Sequence, residues 1–576
     1  MSRQSRRLPQ GGAIDRSQTI SFTFDGARHE GHPGDTLASA MLANDIKIVG
    51  RSFKYHRPRG VMSAGVEESG ALITTGAGAR RTPNVRATTH ELFDGLDAHG
   101  QNAWPSVRFD LNAVNGLFTR FFSAGFYYKT FMSPGRGTWA WMQYEKIIRN
   151  AAGMGTASRE PDPDSYEIAH AHCDVLVVGS GPAGLEAARV AAEAGLHVIL
   201  AEQDFAIAPS LLSETEGVGD EAPADWRVAR ISALQAAGNV EIMPRTTVFG
   251  LYDGGVAGML EQVTDHLADP SHHLPRERFW MVRAKRTIIA TGALERTIAF
   301  GNNDKPGVML ANAARIYANR FGVAAGQRAV VATNNDSGYQ SALDMAAAGV
   351  KVAKILDVRE RASDDFVARA RAAGIEIMTS CVPVETAGRG TVGKLQVGRR
   401  SGATIRAADW IDCDLVAVSG GWTPVVNLLS HRGMRPVYDE TLATFLPGEC
   451  AEPIRAAGSA AGVWRTEDCA QSGRAAGAAA ARDLGKSAPD EKAPAPGGWE
   501  RPIHPLWEVR IEGRKLKSFV DPQHDVKADD VRLAHQEGYV SVEHLKRYTT
   551  LGMASDQGKV GNVIGLALMA DATGKT

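Results

Sequence analysis

Cys173 to Gln203 reads CDVLVVGSGPAGLEAARVAAEAGLHVILAEQ, and the reading of this stretch decides the fold. Asp174 to Val178 is a short apolar run of the kind a buried parallel strand needs. Pro182 to Ala194 is Ala-rich and helical, and His197 to Leu200 is the next strand. At the strand-to-helix turn Gly179, Gly181 and Gly184 spell G-x-G-x-x-G. The first glycine permits the tight turn, the second lets backbone approach a pyrophosphate, and the third allows helix and strand to pack closely. A phosphate there faces the helix N-terminus, where free N–H groups and the helix dipole favour an anion. Glu202 closes the second strand roughly 20 residues after the glycines, where a carboxylate can hydrogen-bond a ribose hydroxyl. The same charge repels a 2′-phosphate, which favours NAD or FAD over NADP.

The chain of 576 residues is too long for one core, and its 44% hydrophobic and 22% charged residues are those of a globular protein. A net charge of −1 offers no field for nucleic acid or an anionic membrane. No run of about 18 apolar residues predicts a membrane span. The basic start MSRQSRRLPQGG leads into IDRSQTISFTFDG rather than an apolar core, so no secretory signal is expected and the cytoplasm is the expected compartment. The cysteines, Cys173, Cys381, Cys413, Cys450 and Cys469, form no C-x-x-C pair. Neither a disulfide framework nor a zinc or iron–sulfur site is expected, and the expected metal set is empty.

Outward from the Gly-rich turn, RTIIATGALERTIAF (286–300) runs into Ala290-Thr291-Gly292, and ECAEPIRAAGSAAG (449–462) ends on Ala457-Gly458-Ser459. These resemble the return segments of glutathione-reductase-like flavoproteins, which usually end in Gly-Asp near the flavin; here Ser459 stands in that place, which leaves NAD as the simpler occupant. QRAVVATNNDSGYQSALDMAAAGVKVAKILDVR (327–359) is a second Rossmann-like unit whose turn keeps one glycine. Its Asn334-Asn335-Asp336 side chains crowd the path of a pyrophosphate, so a retained fold without ligand is expected. QTISFTFDGARHEGHPGDTLASAMLANDIKIV (18–49) reads as a hairpin around Asp25-Gly26, then a helix capped by Gly34-Asp35-Thr36, the order of a β-grasp, ferredoxin-like domain. The aromatic residues Phe118, Phe121, Phe122, Phe126, Tyr127, Tyr128 and Phe131 suit a core, an interdomain contact or a subunit interface.

The expected fold is multidomain α/β: a glutathione-reductase-like core of two dinucleotide domains with an N-terminal β-grasp domain and a small C-terminal helical domain, the last two without iron–sulfur ligands. The expected limits are 14–110 for the β-grasp, 111–168 for the aromatic connector, 169–305 with 405–486 for the first, NAD-binding dinucleotide domain, 306–404 for the second, 487–500 for a Pro-rich linker and 501–576 for the helical domain.

With these parts in this order the chain resembles the alpha subunits of heterotetrameric, tetrahydrofolate-linked sarcosine oxidase. The residues that carry the likeness are GRSFKYHRPRGV (50–61), VVGSGPAGLEAA (177–188), ATGALERTIAF (290–300), NDKPGVMLANAA (303–314) and KRYTTLGMASDQGK (546–559). Amine- and opine-oxidising relatives, including the homologous subunit of N-methylglutamate dehydrogenase, are similar. In several of them the N-terminal and last domains each bind a cluster through Cys-rich loops. Here those loops read GVMSAGVEESG (60–70), FVDPQHDV (519–526) and MASDQGKVG (553–561), frames without thiols. The resemblance stops before the folate-binding, aminomethyltransferase-like domain of such subunits, since the chain stops at ALMADATGKT. The folate domain is thus truncated, separate or absent, and folate is assigned to no residue here.

The resemblance implies oxidative demethylation of sarcosine to glycine, with hydrogen peroxide and 5,10-methylenetetrahydrofolate made by a complex with beta, gamma and delta subunits. It implies NAD on the first site here, FAD in the beta subunit and FMN near the boundary with beta. An N-methylglutamate or dimethylglycine dehydrogenase subunit, or a non-catalytic scaffold stabilised by its nucleotide, are the alternatives, and a self-sufficient enzyme with FAD in the first site is a third. The candidate cofactor-binding residues are Gly179, Ser180, Gly181, Pro182, Ala183, Gly184, Glu202, Gln203, Ser210, Leu211, Val248, Ala290, Thr291, Gly292, Arg296, Gly458 and Ser459. No catalytic residue stands out. Lys559 and Arg547 suit either a flavin phosphate or a solvated surface.

Overall fold

The computed structural model describes residues 4–119, 121–126, 139–151, 155–450 and 454–575. Of the aromatic connector, Tyr127, Tyr128 and Phe131 lie outside the described residues; Phe118 and Phe121 are exposed, and the rings of Phe122 and Phe126 meet edge to face at 5.4 Å. The chain divides into two compact units. One comprises Met1–Asp162, Glu295–Gly421 and His504–Thr576, the other Pro163–Leu294 and Trp422–Ile503.

In the first unit the N-terminal strands stand in the order Ala27–Gly31, Ile20–Phe24, Leu96–Gly100, Leu72–Thr75, Thr82–Arg86. The first two are antiparallel across Asp25-Gly26. Both turn residues have positive φ, 49° and 78°, as a tight hairpin between twisted strands requires. Helix Leu37–Ala43 starts at Thr36, whose hydroxyl accepts from Ser39 N while the Ser39 hydroxyl accepts from Thr36 N, a capping box. All of this helix is buried. Hairpin, helix and sheet are those of the expected ferredoxin-like domain.

The middle segment carries a parallel sheet in the order Val308–Leu310, Leu415–Ser419, Arg328–Thr333, Lys351–Asp357, Glu376–Thr379. This corrects the expected limit at residue 404. Leu415–Ser419 is buried throughout and pairs in parallel with strands on both sides, so the second nucleotide-type domain runs on to Gly421. A wholly apolar run suits the centre of either parallel sheet, and composition alone does not say which. The stretch 487–500 falls within the second unit, where Gly497 exchanges backbone hydrogen bonds with Gly462 and Trp464 instead of serving as a free linker. The C-terminal helices Ala528–Gln536, Val542–Thr549 and Asn562–Thr573 close over Val531, Leu545, Leu551, Ile564 and Leu568.

The three segments of the first unit meet in a buried ion-pair network. Asp304 takes Arg57 at 2.6 and 2.8 Å and also pairs with Arg59. Arg59 reaches on to Asp525 at 2.6 Å and to Pro522 O. Asp525 in turn accepts from the backbone N–H groups of Lys54 and Tyr55 at 2.9 Å. Both guanidinium groups lie over the Phe519 ring, at 5.1 and 5.5 Å from its centroid. Burial alone would raise the Asp304 carboxyl, but Arg57 and Arg59 outweigh it and hold it at about 2.

The thiol-free loops are closed by carboxylates. In the first loop one oxygen of Glu68 accepts from Met62 N, Ser63 N and Ser63 Oγ at 3.0, 2.8 and 3.3 Å, and the other from Gly70 N and Ala71 N at 2.5 and 2.9 Å. In the later frame Asp521 accepts from His524 N and Gly552 N, Asp556 accepts from Gly558 N, and Gln523 bonds Ser555. Burial beside Asp521 raises Asp556 to about 6. Lys559 is half-buried with its ammonium on Asp556 O, whereas Arg547 is exposed. These residues do not fit an iron–sulfur cluster: no cysteine lies in either frame, and carboxylates already hold the loop N–H groups.

Removing one partner of a buried network strands the others, so Asp304→Asn is expected to cost about 3 kcal/mol in urea unfolding. The folded pKa of Asp304 lies below its unfolded value. Its contribution, about 2 kcal/mol, is therefore complete above roughly pH 4 and is lost as pH falls toward 2. Asp304→Asn should flatten that acid limb; an unchanged midpoint and limb would show that the network does not hold the unit. Glu68→Ala leaves backbone donors unpaired in a buried loop and should also cost about 3 kcal/mol, with Glu68→Gln intermediate. Denaturation midpoints equal for all three proteins would reject that role.

Candidate dinucleotide site

In the second unit, strands Val240–Met243, Val198–Ala201, Tyr166–Val178 and Glu277–Ile289 lie side by side in that order and parallel, with Ile454–Ala456 added beside the last. The chain first builds away from Tyr166–Val178 on one side and then returns to its other side. The order reverses there, and ligands of open α/β sheets bind outside the strand ends at such a point. The Gly-rich turn follows Val178 at that spot.

Each glycine of the turn has its own physical reason. Gly179 has φ of 96°, and a Cβ on it would stand 2.4 Å from Ala290 O. A Cβ on Gly184 would fall 1.9 Å from Gly179 O, so helix Pro182–Glu193 packs down only because that position is bare. Gly181 differs: the nearest atom to an added Cβ is Ser210 Oγ at 3.8 Å, an ordinary contact, so no clash within the fold requires glycine there. The helix has Pro at its start and no side-chain cap, which leaves its first N–H groups to a ligand. Pro182 and Ala183 form its first turn. A Cβ on Gly458 would come within 2.7 Å of Ala183 Cβ, and one on Gly473 within 2.1 Å of Ala183 O, so helix Thr466–Asp483 also depends on bare positions to sit against the loop.

Glu202 holds the loop from below. Its Oε2 accepts from Ser180 N at 2.9 Å and Ser180 Oγ at 2.6 Å, while Oε1 accepts from Asp204 N at 2.9 Å. Ser180 Oγ accepts in turn from Ala208 N at 2.7 Å. Burial raises the Glu202 carboxyl, against the hydrogen bonds that lower it. The acid placed by spacing thus anchors the turn, and Oε1 keeps a lone pair for one further donor. Ala290 is buried. Thr291 Oγ donates to Val425 O at 2.7 Å, and Gly292 O accepts from Val425 N. Gly458 N donates to Ser472 Oγ at 3.0 Å, and Ser459 Oγ lies 3.5 Å from Cys469 Sγ.

Gln203 and Ser210 are exposed beside the turn. Leu211 and Val248 are core side chains. Arg296 requires a correction. It belongs to the other unit and is buried there, its guanidinium 5.0 Å from the centroid of the Trp507 ring and toward Gly420 O. Its closeness in sequence to Thr291 and Gly292 had placed it in the site. Ala208, Val425 and Ser472 support the loop without a local sequence signal, because each arrives from a distant part of the chain.

The turn of the second nucleotide-type domain is filled by its own side chains. Asn334 Nδ2 donates to His504 O at 3.0 Å, and Asn335 joins Ser419 Oγ to Ser337 N. Arg359 pairs with Asp336 at 2.8 Å and Asp357 at 2.9 Å, and the Tyr339 hydroxyl also reaches Asp357. All of these are buried or nearly so. The acid that would face a ribose is committed to Arg359. Burial pushes the thiols of Cys173 and Cys413 up to about 12 and that of Cys469 to about 11, away from the thiolate form.

Family models match three parts of the chain: a 2Fe-2S iron-sulfur cluster binding domain over residues 17–103, a pyridine nucleotide-disulphide oxidoreductase over 173–473, and a sarcosine oxidase A3 domain over 515–576. The chain is 46% identical over 573 residues to sarcosine oxidase subunit alpha of Rhizobium meliloti (strain 1021), covering 99% of this chain and 56% of that protein. To sarcosine oxidase subunit alpha of Corynebacterium sp. (strain U-96) it is 36% identical over 592 residues, covering 99% and 55%. It therefore spans about half the length of these relatives. Among solved structures, L-proline dehydrogenase from P. horikoshii shares the fold with a TM-score of 0.68 at 18% identity, over 100% of this chain and 95% of that one. With the Gly-rich turn at the sheet's reversal point and a match over more than half its residues, the chain belongs to the pyridine nucleotide-disulphide oxidoreductase family and is similar from end to end to sarcosine oxidase alpha subunits.

Proposed function

We propose that this chain is the nucleotide-holding alpha subunit of a sarcosine oxidase, with NAD on the Gly179–Gly184 turn. The observation that carries the nucleotide reading is the contrast between the two turns. No contact within the fold requires Gly181 to be bare before an uncapped helix N-terminus, whereas Asp336, Arg359 and Asp357 fill the second turn. In this reading Gly179, Gly181 and the first N–H groups of the helix hold the pyrophosphate, and the free lone pair on Glu202 Oε1 takes a ribose hydroxyl. Thr291, Gly292, Gly458 and Ser459 flank the path toward the nicotinamide. Ser459 supports NAD over FAD, since a hydroxyl stands where flavin-binding relatives of the fold carry an acid. NAD supplies a ring able to accept a hydride.

The demethylation of sarcosine to glycine, with hydrogen peroxide and 5,10-methylenetetrahydrofolate as the other products, belongs in this reading to the complex. FAD is placed in a beta subunit, FMN near the boundary with it, and gamma and delta subunits complete the heterotetramer. The likeness to sarcosine oxidase alpha subunits along 99% of the chain supports this role.

Denaturing the purified chain and identifying released nucleotide by mass spectrometry is expected to give NAD near one per chain and no flavin; released FAD would replace this reading with a flavin site. Gly181→Ala adds a methyl that the fold accepts without a clash, so the melting temperature of the nucleotide-free protein should stay while NAD affinity falls about tenfold or more. Gly184→Ala should instead destabilise the fold by about 1–3 kcal/mol. Full NAD occupancy in Gly181→Ala would remove the pyrophosphate from this turn.

A further inference from the structure

Polar groups pin the stretch that follows the N-terminal sheet, while most of its large apolar side chains face outward. Asp110 accepts from Trp104 N and Asn112 N at 3.0 and 3.1 Å and bonds His56 Nδ1 at 2.9 Å. Leu111 N donates to Trp104 O at 2.8 Å, Arg51 Nε to Val107 O at 2.8 Å, and the Tyr55 hydroxyl to Phe122 O at 3.1 Å. Between these ties Leu111–Phe118 forms a 3₁₀-helix in which no residue is buried. Residues three apart eclipse in such a helix, so Leu111, Val114 and Leu117 stand in one row and Ala113 and Gly116 in another. The small row faces the protein: both its residues are half-buried, and a Cβ on Gly116 would lie 3.7 Å from Tyr55 O. The large apolar row faces solvent, with Leu117 82% exposed.

A surface helix ordinarily turns its apolar stripe to the core, and here the polar ties hold it the other way round. Trp104, Phe109, Phe118 and Phe121 flank the row along the chain, and row and flank are between 48 and 82% exposed. Together they present roughly 700 Å² of apolar surface. The largest apolar patch of a typical monomer is about 300–600 Å², whereas each partner of a specific protein complex contributes about 800 Å². The helix carries no charge, since residues 111–119 read LNAVNGLFT. A helix that lies on an anionic membrane needs lysine or arginine on its polar face, and this one has Asn112 and Asn115 instead. An uncharged apolar ridge has the composition of an obligate protein interface.

We propose, resting on the subunit reading above, that the Leu111–Val114–Leu117 row and the aromatic rings beside it dock this chain into an apolar groove of the flavin-carrying beta subunit. In that reading FAD lies in the beta subunit and FMN near the boundary with it. Electron passage across such a boundary needs the two chains to stay together, and lasting association comes from apolar burial rather than from rim charges. A row of side chains repeated every three residues supplies the anchors, as one face of a helix does in a groove. The ties through Asp110, Arg51 and Tyr55 hold the ridge in place before binding, so little ordering is left to oppose association.

The test is calorimetric titration and sedimentation velocity of the full chain with the purified beta subunit. The native chain should bind one beta subunit. Leu117→Ser should weaken that association about thirtyfold or more, while Val228→Ser, at an apolar residue 58% exposed on the second unit, leaves it unchanged. The isolated Leu117→Ser chain should keep its melting temperature, because the side chain touches little of its own fold. Equal affinity in Leu117→Ser overturns the proposal. So does a lower melting temperature of that isolated variant, which would make the ridge internal packing. Self-association of the native chain, or its binding to anionic phospholipid vesicles, lost in Leu117→Ser overturns it in favour of a second copy or a membrane. No association of the native chain with the beta subunit would reject the subunit reading itself, and this docking surface with it.

Discussion

Asp304 is the residue on which the first unit turns. Its carboxylate joins arginines 247 and 245 positions earlier in the chain, and through Arg59 it is tied to Asp525, a further 466 positions from that arginine. Taking such groups out of water costs several kcal/mol per ion, recovered only when the geometry is complete. Completeness is visible here: two arginines on one carboxylate, a second carboxylate on Arg59, backbone donors on that carboxylate, and an aromatic face beneath both guanidiniums. Because the constraint spans three chain segments, the N-terminal domain, the second nucleotide-type domain and the helical domain are energetically one body.

The loop around Glu68 obeys the same rule at smaller scale. A tight loop aims several N–H groups inward, and inward-facing donors need an anion or another acceptor. A sulfur cluster can be that acceptor in a ferredoxin-like fold, and here one side chain does so. The frame therefore closes on a carboxylate. This also explains why a cluster-domain model matches residues 17–103 although no cysteine lies among them: the backbone pattern survives when the anion at its centre changes.

Local patterns were legible and long-range ones were not. The strand, Gly-rich turn, helix and acid of Cys173–Gln203 could be read directly, because each glycine answers a contact within its own β-α-β unit or a neighbouring strand. Spacing singled out Glu202 at the end of the second strand, yet its bonds to Ser180 and Asp204 depend on rotamers that spacing does not fix. Arg296 was misplaced because adjacency in sequence does not survive a change of unit at Glu295. Leu415–Ser419 lay beyond the expected limit at residue 404 for a related reason, since burial on both faces erases the alternation that distinguishes one strand environment from another. The Asp304 network joins three motifs that were noticed separately, and no periodicity links residues so far apart.

The two nucleotide-type turns differ in what fills them. Both place a helix N-terminus after a parallel strand, and both end the following strand in an acid. In the second, Arg359 neutralises that acid and Asp336 together, so charge and space are satisfied without a ligand. In the first, the acid braces the loop through Ser180, no contact within the fold requires the middle glycine, and the helix start has no side-chain cap. Topology makes an anion site available in each; the side chains of the turn decide whether the protein or a ligand supplies what fills it.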